Sequence, residues 1–109
     1  MPKVTDSKIK GLFRKWMNRL KIKTNVFLTT NPKKYESITN SKVCKKRICV
    51  FGAVLLVPNR NPVVFISKKK NQIASELEKT VIHELLHIKF PKKTENFIRV
   101  KTNRVFQDA

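Results

Sequence analysis

Two histidines stand four residues apart in the run His83-Glu84-Leu85-Leu86-His87. They are the only two histidines in the chain. On a helix, this spacing stacks both imidazoles on one face, one turn apart. Two imidazoles so placed can share a metal ion. Glu84, next to the first ligand, can reach a metal-bound water rather than the metal. Zinc lowers the pKa of such a water to about 7, and a neighbouring carboxylate can take its proton. The hydroxide then attacks a polarised carbonyl, and the glutamate returns the proton to the leaving amine. The run therefore points to zinc-dependent hydrolysis of a peptide bond, with Glu84 as general base and acid.

A catalytic zinc needs a third protein ligand and an open position. The chain holds only seven acidic residues. Glu76 and Glu78 fall at the start of the same helix, where capping and the dipole explain them. Asp6 and Glu36 are distant in sequence. Glu95 follows His87 by eight residues, just past Pro91. A helix returning after that turn can aim Glu95 at the metal, giving His83, His87 and Glu95. Asp108, or the C-terminal carboxylate, is a second candidate; folding back, it would fill the open position and close the site.

The elements that must position these residues show in the periodicity. Ile9, Leu12, Phe13, Trp16, Met17 and Leu20 mark an amphipathic helix over 7–21, with Asp6 or Ser7 as its cap. Residues 24–30 read as a short strand ended by Asn31-Pro32, and 33–41 as a polar loop. Val43 to Val57 reads as one long strand, bulged or kinked near Gly52. The turn Asn59-Arg60-Asn61-Pro62 joins it to a strand at Val63, Val64, Phe65, Ile66 and Ser67. That strand is expected to be the edge on which an extended substrate pairs. Ser75 and Glu78 have capping-box spacing before a helix over 75–89, which Pro91 stops. Thr94 caps a last helix to about Arg104, and 105–109 reads as a tail. The fold class is α+β: an N-terminal helix, a small mixed sheet of about three strands, the histidine-bearing helix and a C-terminal helix. One domain over 1–109 is expected.

Within one regular strand, the separation of Cys44 and Cys49 puts their sulfurs on opposite faces. Buried thiols are therefore expected rather than a disulfide. The net charge is +18, from 25 Lys and Arg against the few acids. The lysines are scattered, and the aromatics, mostly Phe, sit in apolar-periodic segments. Such a surface is compatible with weak nucleic-acid binding beside a peptide or protein substrate, and a basic nucleic-acid-associated protein or DNA-binding module is the alternative function. No apolar run approaches the roughly 20 residues of a membrane span. Met1 to Lys10 has no apolar signal core, so a cytoplasmic, reducing setting is expected.

The order of elements, with Ser75 to Phe97 reading SELEKTVIHELLHIKFPKKTENF, resembles the minigluzincins, minimal zinc metallopeptidases of the gluzincin group. The resemblance covers nearly the whole chain. It implies zinc, a His-His-plus-third-residue site, Glu84 as general base, and latency through the C-terminal segment. A zymogen-like chain, monomeric or dimeric through that segment, would follow. A second resemblance is to the SprT-like proteins, which carry a similar HELLH stretch and act near DNA. Aligned on the proline, their third histidine ligand falls on Lys93 here. Lysine is a poor zinc ligand at neutral pH, which moves the assignment back to Glu95.

Overall fold

A computed structural model describes residues 4–46 and 48–108. Its first element, α1 (Asp6–Arg19), is capped by Thr5, whose side chain accepts from the Lys8 N–H, rather than by Asp6 or Ser7. The apolar stripe seen in the sequence buries Ile9, Phe13 and Trp16. Next come β1 (Phe27–Thr29) and α2 (Pro32–Thr39). The helix α2 replaces the expected loop over 33–41. Asn31 caps the Lys33 and Lys34 N–H groups, and Pro32 supplies a preset φ in the first turn. The same dipeptide that breaks the strand thus starts a helix.

The expected long strand over 43–57 is three shorter ones. Cys44–Lys45 (β2) and Ile48–Cys49 (β3) form an antiparallel hairpin, and Gly52–Leu55 (β4) joins the main sheet. The chain reverses at Lys46, which has φ 50°. Cys44 therefore faces Cys49 across the hairpin, and the two form a disulfide. The opposite-face argument holds only within one strand; the reversal cancels it. A disulfide is at odds with the cytoplasmic, reducing setting expected from the sequence. Among the described residues, no helix is long and apolar enough to cross a membrane.

The main sheet has three strands in the order β1-β5-β4, where β5 is Val63–Ile66. β1 runs parallel to β5, and β4 antiparallel. The sheet is mixed, as expected, but β5 is its centre. Val63, Val64 and Phe65 are paired on both sides, Ile66 pairs with Gly52, and Ser67 donates its N–H to the Phe51 carbonyl. This segment is therefore not the edge expected to receive a substrate. Its alternation explains its unbroken apolar run. Val64 and Ile66 face the main core; Phe65 packs on the other side with Tyr35 and Val43.

Two helices complete the chain: α3 (Ala74–Lys89) and α4 (Glu95–Gln107). Leu77, Val81, Ile82, Leu85 and Leu86 of α3 are fully buried against α1, the sheet and Ile98 of α4. The Ser75 capping box does not form: Ile73 is the N-cap, with no side-chain cap bond. Glu78 instead accepts from the Trp16 indole N–H at 2.7 Å and from Lys15 at 3.1 Å. These bonds tie α3 to α1. Thr94 caps α4 as expected, accepting from the Phe97 N–H.

Candidate metal centre

Helix α3 carries His83 and His87 on one face, and their rings meet edge to face with centroids 4.9 Å apart. The chain leaves α3 at Phe90 and re-enters a helix after Thr94, which sets Glu95 in the first turn of α4. Its carboxylate spans both imidazoles: Oε1 lies 2.6 Å from His83 Nε2, and Oε2 lies 2.8 Å from His87 Nε2. One donor atom from each residue lies within 4.8 Å of the others. Among the described residues this is the one group of three or more such side chains able to hold a metal ion.

The donor set fits a divalent cation such as zinc, for which two imidazoles and a carboxylate are ordinary ligands. Its protonation fits as well. Burial is the largest influence on His83 and lowers its pKa, against the opposing pull of Glu95. A neutral imidazole is what a metal requires. Burial pushes the Glu95 carboxyl up, but attraction and hydrogen bonds from the two imidazoles outweigh it and hold it below the usual range. Thr102, two turns further along α4, reaches the other side of His83. Its hydroxyl donates to the Ile98 carbonyl at 2.7 Å, so towards His83 Nδ1, 3.5 Å away, it can only accept. That contact favours a proton on Nδ1, the tautomer that would turn Nε2 to a metal in place of its present contact with Glu95.

Glu84 lies in a tight space against Gly52 of β4, on the same cleft as His83. It is only 7% exposed, and burial, then the charge of Glu95, push its pKa up to about 8. The space exists because residue 52 is glycine. A Cβ there would meet Thr80 Cγ2 at 2.8 Å and Glu84 Oε2 at 3.0 Å. The chain bends at Phe51, next to the irregularity expected near Gly52; Gly52 itself has no positive φ and lets a strand lie directly on the helix. The fully buried Asn71 fixes this approach. Its amide donates to the Phe51 and Ser67 carbonyls and accepts from the Thr80 hydroxyl, joining β4, β5 and α3.

Of the residues singled out in the sequence, His83, His87, Glu95 and Glu84 come together. Asp108 does not. Helix α4 continues through Gln107, and Asp108 is its C-cap. At 1.5 Å per residue it sits about 20 Å along the axis from Glu95. The tail expected at 105–109 is thus mostly helix; Ala109 and its carboxylate lie outside the described residues. Sequence reasoning missed Asn71 and Thr102. Thr102 carried a signal: residues 95, 99 and 102 share one helical face. Asn71 sits in a polar link with no pattern around it. In comparisons with known proteins, no family model, curated protein or solved structure matches the chain.

Proposed function

We propose that this chain is a zinc-dependent endopeptidase of the minigluzincin-like, zincin type. The observation that carries the reading is the convergence of His83 and His87 on Glu95, with Glu84 buried beside them under Gly52. When bound, zinc would supply a Lewis acid that polarises the substrate carbonyl and acidifies a water. His83, His87 and Glu95 would hold it, with Thr102 orienting His83, and Glu84 would accept a proton from the attacking water and pass it to the leaving amine. Burial raises the Glu84 carboxyl's affinity for a proton, which suits a group that must take one up and hand it on. The close approach of Gly52 and Thr80 to Glu84 limits its motion. β4 pairs with β5 on one side only, so its outer edge beside Glu84 can receive an extended peptide.

Metal analysis of the purified protein tests this reading. About one zinc per chain is expected after zinc repletion, the stoichiometry of a single catalytic site. His87→Ala should abolish it. Glu84→Ala should keep the metal and lose hydrolysis of an unstructured protein such as casein. No zinc uptake, or unchanged uptake in His87→Ala, would overturn the proposal.

A further inference from the structure

A cleft of about 340 Å³ opens from His83 and Glu84 towards the N-terminal half of α3 and the C-terminal half of α4. Gly52 and Phe51 line its sheet side, Lys79 and Thr80 its α3 side, Arg99 and Asn103 its α4 side. Neither Lys79 nor Arg99 forms an ion pair among the described residues. Lys79 is laid across the cleft towards α4, its ammonium 5.1 Å from the Phe106 ring centroid. Arg99 stands one turn beyond Glu95 and acts electrostatically on His83. The sole carboxylate on the lining is Glu84, already assigned to the chemistry. Two exposed cations, one on each helix, therefore line the cleft with no carboxylate partner among the described residues.

A peptide laid antiparallel on β4 leaves the sheet at Gly52, so the residues following the cut bond enter this cleft. We propose that Lys79 and Arg99 form a carboxylate-binding subsite for the part of the substrate that follows the scissile bond. The inference rests on the peptidase reading, because it takes β4 as the substrate strand. The carboxylate can come from an acidic side chain or from a free C-terminus; either would accept from Arg99 in a two-pronged contact with Lys79 as a point charge.

Binding to the full-length Glu84→Gln protein, loaded with zinc, reads this without turnover. Dansyl-labelled peptides are compared by anisotropy in two pairs: free C-terminal acid against amide, and internal Asp against Asn. The carboxylate member of at least one pair should bind about tenfold more tightly, in line with a charge-assisted contact. The pair that shows it identifies the source. Arg99→Gln or Lys79→Gln should remove the preference, and Lys33→Gln, an equal loss of charge on exposed α2, should keep it. Equal affinity within both pairs, no binding of any peptide, or equal losses in Lys33→Gln would overturn the inference. Zinc content is measured on the same samples. A chain that takes up no zinc defeats the peptidase reading, while the anisotropy pairs still report on the subsite.

Discussion

Glu84 is a buried carboxyl whose proton is held more tightly in the folded chain than in the unfolded one. Its pKa lies at about 8 instead of 4.5. Between those values the native state binds the extra proton, so stability falls as pH rises. In metal-free protein, the loss from about pH 5 to about pH 8 should approach 4 kcal/mol, and Glu84→Gln should flatten it. Urea titrations at the two pH values measure the difference. Gly52 gives a second residue-scale prediction. Gly52→Ala forces a methyl against Thr80 and Glu84 and should cost about 1–3 kcal/mol, as overpacking does. It should also lower hydrolysis by displacing Glu84; denaturation and casein cleavage test the two parts separately. His83, Glu84 and His87 were legible because their relation is local, one turn of one helix. Glu95 was legible because so few carboxylates competed with it. Gly52 was visible only as a strand irregularity, since its partner Glu84 lies 32 residues away in sequence. No local pattern encodes that approach.

Among the elements, α1, α3 and α4 were readable because each buries an apolar stripe of helical period. Helix α2 was not, because it is short and mostly polar and anchors itself chiefly through Tyr35. The β2–β3 hairpin was hidden inside a β-branched run that looks the same whether it continues or folds back. The contact that braces the site helix was misread for a related reason. Glu78 has the spacing of a cap, yet it serves the helix across from it. Removing the indole donor tests that role. Trp16→Phe keeps most of the apolar burial but deletes a hydrogen bond to a charged group, and should cost about 1–3 kcal/mol in thermal or chemical unfolding. Zinc binding should survive, because the Trp16 indole bonds Glu78 and not His83, His87 or Glu95.

At the scale of the whole molecule, +18 on 109 residues is a large self-repulsion. Asp6, Glu78 and Glu95 are already engaged by neighbours, and Glu84 is buried. Little negative charge is left to balance the remaining lysines. Raising the ionic strength from about 0.01 M to about 0.15 M shortens the Debye length from about 30 Å to about 8 Å. The melting temperature should therefore rise with added sodium chloride, and calorimetry checks it. A fall would mean that the ion pairs, rather than the repulsion, dominate.

The donor group has one more consequence, for the order in which the protein is made. His83, His87 and Glu95 all lie between residues 83 and 95, on two helices joined by a short turn. Closing so short a loop carries a small entropic cost, and a nascent α3–α4 hairpin can bring the three together without the sheet. Glu84 is different. Its burial requires β4, drawn in from far earlier in the chain and locked by Asn71. Capture of an ion can thus precede burial of Glu84, the proposed general base. A half-folded chain would hold its metal yet remain chemically idle until the last strand docks.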